Sequence, residues 1–224
     1  AESKKNIDQK VLLRGRVDMA VATMWTTVSL FDGYSNIQKK KYLVQGYETL
    51  FYEPPTPLRV FANATYSRDD VEYLTVSKWC ESWLSERFGR QARYIPNGLD
   101  TSLFFPKERS LSASEKVRIL IEGDCDSYYK NVDEAFRIVD RLDPERYEVW
   151  YVSYNAEPKS TYRVDRFFHD LSQEEMADLY RECHILLKTS ILESFSYPPL
   201  EMMASGGYVV AILNDGNAEY LRNR

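Results

Sequence analysis

Apolar residues in this chain gather in short runs, and the stretches between them carry apolar positions at helical spacing. The runs Val17–Thr23, Lys41–Gln45, Glu72–Val76 and Ala92–Ile95 read as strands, with Trp25 in the turn after the first. Between them, Leu58–Ser67 reads as a helix. Ser77 caps a second helix over Lys78–Phe88, which Gly89 ends, with Trp79, Trp83, Leu84 and Phe88 spaced along an apolar face. Pro96-Asn97-Gly98 reads as a turn in which Gly98 supplies the left-handed residue.

The alternation then starts again. Val117–Glu122, Tyr147–Val152, Arg163–Phe168, His184–Lys188 and Tyr208–Leu213 read as strands. The helices expected between and after them are Asn131–Leu142, a helix from a Ser172/Glu175 capping box to about Glu182, one over Leu200–Ser205, and Ala218–Arg224. Strand–helix alternation of this kind predicts parallel, doubly wound α/β sheets. A polar, Ser-rich stretch at Lys107–Lys116 suits a linker, and residues 1–16 read as a polar lead-in.

Composition narrows the chemistry. The 224 residues are 44% hydrophobic, enough for a real core, and no apolar run nears the ~20 residues of a membrane span. The net charge of −5 is interspersed, which leaves no basic stripe for nucleic acid. Three scattered cysteines, Cys80, Cys125 and Cys183, suit neither a disulfide framework nor a zinc site, and a reducing, cytoplasmic compartment is expected. With only His169 and His184, a histidine triad or His-rich metal centre has almost no material. Asp124-x-Asp126 is weak evidence for a metal, and no metal ligand is assigned. Seventeen tyrosines and four tryptophans suit a core as well as they suit stacking on sugars or bases.

The most informative stretch is His184–Gly207, HILLKTSILESFSYPPLEMMASGG. A buried strand runs into a polar loop holding Glu193, and Pro198 and Pro199 then start a helix whose first turn carries Glu201 and which Gly206 and Gly207 end. In an open α/β sheet, loops at the carboxyl ends of strands are where ligands bind. Backbone N–H groups of Ser194–Tyr197 facing that crevice could hold an anion.

This stretch resembles the signature of the retaining glycosyltransferases of family 4, which have the GT-B architecture. The carrying positions are Glu193, Phe195, Glu201 and Gly206, with Ser190 ahead of them. A second passage, SKWCESWLSERFG followed by YIPNGLDTSLFFP, is similar to the family's exit from its first domain, at Ser77, Pro96, Asn97, Gly98, Asp100, Phe105 and Pro106. The resemblance implies two Rossmann-type domains: residues 1–104 as the rear part of an incomplete acceptor-side domain, and 105–224 as a nucleotide-sugar donor domain that the family normally continues further. The chain is expected to be truncated at both ends.

The resemblance also implies roles. Glu201 would hold the ribose cis-diol, Glu193 the hydroxyls of the donor sugar, and the N–H groups of Phe195 and Ser196 sugar or phosphate. Lys130, beyond Gly123, would stabilise the leaving diphosphate without a metal or cofactor. Two departures stand out: Asp124 occupies the family's usual Arg position, and His184 its usual Asp. The expected function is transfer of a hexosyl unit from a nucleotide diphosphate sugar to a glycan or lipid-linked acceptor, in the cytoplasm, where the acceptor would allow peripheral association with the inner face of the membrane. YLVQGYE, Tyr42–Glu48, is similar to a subgroup that builds bacterial rhamnose-containing polysaccharides. The alternatives are a non-catalytic nucleotide-sugar-binding or scaffold module, and a sugar-nucleotide epimerase of the same architecture.

Overall fold

A computed structural model of the chain describes residues 15–107 and 115–222. Most of the expected linker, most of the lead-in and the last two positions of the expected C-terminal helix therefore lie outside the described residues. The chain forms two compact units, residues 1–97 and 98–224, so the break falls ahead of the one expected after residue 104. Phe104 is buried in the core of the second unit with Leu120, Tyr180 and Met202.

In the first unit, β1 (Val17–Ala22), β2 (Ile37–Val44), β3 (Glu72–Thr75) and β4 (Ala92–Tyr94) form one parallel sheet in sequential order. The strand β2 begins earlier than its apolar run because its lysines find partners: Lys40 pairs with Asp70 at 3.2 Å and Lys41 with Glu72 at 3.0 Å. Trp25 lies not in a turn but at the start of a short helix, α1 (Trp25–Val28). The helices α2 (Pro57–Thr65) and α3 (Lys78–Phe88) follow. Capping of α3 is as expected: the Ser77 side chain accepts from Cys80 N–H, and Gly89 is left-handed at φ 63°.

Aromatic residues build this unit's core. Trp83, 4% exposed, meets Tyr47 at 4.6 Å and Tyr66 at 4.9 Å between ring centroids. Their role here is packing. The expected Pro96-Asn97-Gly98 turn is absent, and Gly98 has no left-handed φ. Ile95 N–H instead extends the ladder to Thr75, and the chain turns at Asp100, whose carbonyl accepts from Leu103 and Phe104.

In the second unit, β5 (Val117–Glu122), β6 (Tyr147–Ser153), β7 (Arg166–His169), β8 (Ile185–Lys188) and β9 (Tyr208–Ala211) form a parallel sheet ordered β7-β6-β5-β8-β9. The strand order reverses between β5 and β8, which makes that boundary the topological switch point of a Rossmann-type sheet. Around it lie α4 (Val132–Val139), α5 (Gln173–Glu182) and α6 (Tyr197–Ala204).

Local chemistry accounts for the shifted boundaries. Asn131 is left-handed at φ 51° and caps α4 instead of joining it, and tighter bonds to Arg141 and Leu142 close its far end. Arg163 is not in β7; its guanidinium donates to the carbonyls of Val139, Leu142 and Tyr147, where α4 ends. The Ser172/Glu175 capping box starts α5 as expected. Gly206, at φ 82°, ends α6: its N–H reaches Met203 while Gly207 N–H reaches Met202. The expected helix from Ala218 is replaced, within the described residues, by turns that Asn214 and Asn217 organise through mutual side-chain bonds.

His184 has a structural role. Its Nδ1 accepts from Arg118 N–H at 2.9 Å, which locks the entrance of β8 to β5. A carboxylate could accept the same bond.

Candidate functional site

The site forms where β5 and β8 end. Ile121 and Leu187 are the last paired residues, and one position beyond them stand Glu122 and Lys188. A lysine that closes a strand covered on both faces must find a counter-ion or lose its charge. Lys188 is 1% exposed; its ammonium meets the Glu122 carboxylate, the Glu122 carbonyl at 3.3 Å and the Glu193 carboxylate at 3.4 Å.

Glu193 lies in the loop between β8 and α6 and is held from a second side by Lys130, 2.9 Å from the same oxygen. Lys130 ends a single 3-10 turn, Tyr128–Lys130, in the loop after β5. It passes close over Gly123, whose φ is 136°, and a β-carbon there would stand 3.3 Å from Lys130 Cβ. Burial acts to raise the Glu193 carboxyl, but Lys188, Lys130 and the Ser190 hydroxyl outweigh it and hold the pKa below the usual range. Burial likewise acts to lower Lys130, and the charges of Glu122 and Glu193 overcome it. Both groups are therefore charged at neutral pH.

The two loops are tied together. Asn131 Nδ2 donates to the Thr189 carbonyl at 3.2 Å, Thr189 Oγ1 donates to the Asn131 carbonyl at 2.8 Å, and Ile191 N–H donates to Tyr129 at 2.9 Å. The loop after β9 supports them from beneath: Asn214 Nδ2 donates to the Ser190 carbonyl at 3.0 Å, and Tyr220 donates to the Ser196 carbonyl.

Glu201 lies in the second turn of α6 rather than its first, because Tyr197 and the two prolines already belong to the helix. It lines a cleft of about 210 Å³ together with Glu122, Tyr154, Leu171, Met176 and Tyr180. Burial raises its pKa to about 7; the Tyr180 hydroxyl opposes the rise and the Glu122 charge adds to it. Phe195 is buried and packs its ring against Tyr197 and Tyr220. Ser196 caps α6 in a left-handed conformation, φ 67°.

Asp124 takes no part in this cluster. Its carboxylate accepts from Ser153 Oγ at 2.5 Å, Tyr154 N–H at 3.0 Å, Asn155 N–H at 2.9 Å, Asn155 Nδ2 at 3.0 Å and Ala156 N–H at 3.4 Å. Burial acts to raise this group, yet these bonds bring it down to about 2. Asp124 thus pins the loop after β6 to the end of β5. Among the described residues no group of three His, Cys, Asp or Glu is placed to hold a metal ion.

The structure therefore gathers Gly123, Lys130 and Glu193 at the switch point, with Phe195 and Ser196 on the same loop and Glu201 in the adjoining cleft. Lys188, Glu122 and Tyr180 were not foreseen. The available signal was that two apolar runs, VRILIE and HILLK, end in opposite charges.

Residues 163–224 match the family model described as glycosyl transferases group 1. The chain is 30% identical over 158 residues to an MMP alpha-(1->4)-mannosyltransferase of Mycolicibacterium hassiacum, covering 65% of this chain and 38% of that protein. It is 26% identical over 213 residues to the O-antigen biosynthesis protein RfbC of Myxococcus xanthus, covering 92% of this chain and 16% of that one. Among solved structures it is similar to sucrose-phosphate synthase from Thermosynechococcus elongatus, with a TM-score of 0.68 and 16% identity over 86% of this chain and 55% of that one. The catalytic domain of starch synthase IV from Arabidopsis thaliana gives a TM-score of 0.65 and 13% identity over 96% of this chain and 60% of that one. The chain spans less than two thirds of each relative. The fold is α/β and GT-B-like, with two parallel-sheet units. Among the described residues no helix is long and apolar enough to cross a membrane.

Proposed function

We propose that this chain belongs to a retaining group 1 glycosyltransferase, moving a hexosyl unit from a nucleotide diphosphate sugar to a glycan or lipid-linked acceptor in polysaccharide assembly. The observation that carries this reading is the charged Lys130–Glu193 pair at the switch point, with Glu201 in the adjoining cleft. The names of the two sequence relatives, a mannosyltransferase and an O-antigen biosynthesis protein, support it.

The chemistry follows from three handles on the donor. A ribose cis-diol presents two donors, which a carboxylate at Glu201 accepts. Tyr154, 67% exposed at the same cleft, offers a face on which a base can stack. The diphosphate gains negative charge as it leaves, and the Lys130 ammonium stabilises that charge from a fixed position. Glu193 accepts hydroxyls of the sugar and sets its orientation. No side chain serves as covalent nucleophile; the departing diphosphate takes the acceptor's proton on the face it leaves. On this reading no metal or other cofactor takes part.

Isothermal calorimetry of the chain against UDP, GDP and dTDP tests the proposal. One of them should bind saturably, and Glu201→Ala should weaken it about ten- to a hundredfold, since a charged hydrogen bond contributes about 1.5–3 kcal/mol. Absence of binding for all three would overturn the donor-site reading. Hydrolysis of the matching nucleotide sugar, abolished in Glu193→Ala, separates a transferase from a protein that only binds.

A further inference from the structure

Glu193 shares one carboxylate oxygen between two lysines, and the two are built differently. Lys130 reaches it from a surface turn, and its side chain keeps 23% of its exposure. Lys188 rises from the end of a central strand, with 1% exposure and its ammonium against Glu122 and Glu193. An ammonium has three donors, and those of Lys188 face the Glu122 carboxylate, the Glu122 carbonyl and Glu193. Lys130 is free to swing toward an arriving anion; Lys188 is not.

This raises a difficulty for the donor site as it stands. If Lys130 turns to a diphosphate, Glu193 loses its nearer cation while remaining buried, and a carboxylate in that position takes up a proton or moves. We propose that Lys188 is a positioning residue that keeps Glu193 charged and in place when Lys130 leaves it for the diphosphate. The proposal rests on the donor-site reading above, and it assigns Lys188 no contact with the donor. Glu122 completes the device by holding the Lys188 ammonium at the strand end. The charged and titratable groups around the Glu193 carboxylate are Lys188 of β8, Lys130 of the turn before α4, Glu122 of β5 behind the two lysines, and Tyr220 after β9.

Carbon-13 carboxyl NMR of the 224-residue chain, with the Glu193 signal identified by its loss in Glu193→Gln, tests the charge relationship directly. Lys130→Met stands in for a Lys130 drawn away. In that variant the Glu193 midpoint should stay within about one unit of its wild-type position. Adding Lys188→Met with Glu122→Gln should raise its midpoint by at least about one unit, a tenfold gain in proton affinity. Lys188 and Glu122 are removed together so that neither is left as an unpaired buried charge. A Glu193 midpoint indifferent to the loss of Lys188, or raised as far by Lys130→Met alone, overturns the proposal.

Turnover supplies a second readout. Because Glu122 also lines the Glu201 cleft, Lys188→Met/Glu122→Gln is read against Glu122→Gln alone, relative to which it should lower kcat for donor hydrolysis or transfer about ten- to a hundredfold. A folded double variant with unchanged kcat would mean that Lys188 and Glu122 only close the strand ends, and would overturn the proposal. If wild type binds no nucleoside diphosphate, the donor-site reading fails, while the titration still decides the role of Lys188.

Discussion

Gly216 lies directly against Glu193: a β-carbon at Gly216 would stand 2.3 Å from the Glu193 carbonyl oxygen and 2.8 Å from Phe195 N. Both neighbours are backbone atoms, so no side-chain rotation relieves the clash. The loop after β9 thus sets the height of the loop that carries Glu193.

Gly216→Ala should therefore push the Glu193–Phe195 segment outward. The overpacking should cost about 1–3 kcal/mol of stability and weaken nucleotide binding at least about tenfold. Calorimetric unfolding and nucleotide titration of the same variant check both effects; binding at wild-type strength would show that the loop can shift without harm.

Glu201 makes the site sensitive to pH near neutrality. Its pKa is raised to about 7 by burial, so the ionised form that the proposed ribose contact requires prevails only above that value. Nucleotide binding should strengthen as pH rises from about 6 to 8, and at pH 7 binding should release about half a proton. Calorimetry in buffers of different ionisation enthalpy reads that proton directly. The effect on folding has the opposite sign: a carboxyl raised in the folded state favours folding while protonated, and that contribution fades as pH climbs through about 7. Glu201→Gln should accordingly gain stability over wild type at pH 8 and not at pH 5.

Asp124 is fixed by its hydrogen bonds, and putting Arg in its place should harm this chain. The carboxylate collects five hydrogen bonds from residues 153–156, and its pKa is lowered to about 2. Asp124→Arg and Asp124→Asn should each lower stability by about 1–2 kcal/mol, a figure reduced for the partial exposure of the group. The loss should persist from neutral pH to about 4 and shrink below that, since a depressed carboxyl gives up its contribution as acid protonates it. Urea unfolding at pH 7 and pH 3 measures the difference.

With Asp124 occupied in this way, nucleotide binding should not depend on a divalent ion. EDTA is expected to leave Kd for the diphosphate within about threefold of its value in magnesium. Lys130→Ala should instead weaken that binding about tenfold, because the ammonium is the cation supplied to the phosphates.

Much of this was legible in the sequence. The strands at β5, β6 and β8 could be bounded to within a residue or two because both of their faces are apolar, and the caps at Ser77 and Ser172 are local interactions. Glu193, Lys130 and Glu201 could be singled out in the sequence only through the resemblance, and the structure brings Lys130 and Glu193 together. What escaped notice depends on distant partners. Lys39 and Lys40 look like a charged approach to the strand until Asp70 is set beside Lys40. Arg163 reads as strand until its guanidinium is seen gathering carbonyls at the end of α4. Lys188 and Glu122 each look like the frayed end of an apolar run, and only the strand order makes them neighbours.

The cluster at the switch point holds two ammonium groups and two carboxylates, Lys130, Lys188, Glu122 and Glu193. Their formal charges cancel, so this cluster by itself should project little long-range field toward phosphates in solution. Capture of the donor then relies on close fit, and its association rate should change little between low and physiological ionic strength. Free inorganic phosphate, with no ribose for Glu201 to hold, would be a poor competitor, which leaves the site open to a dilute nucleotide sugar in a phosphate-rich medium.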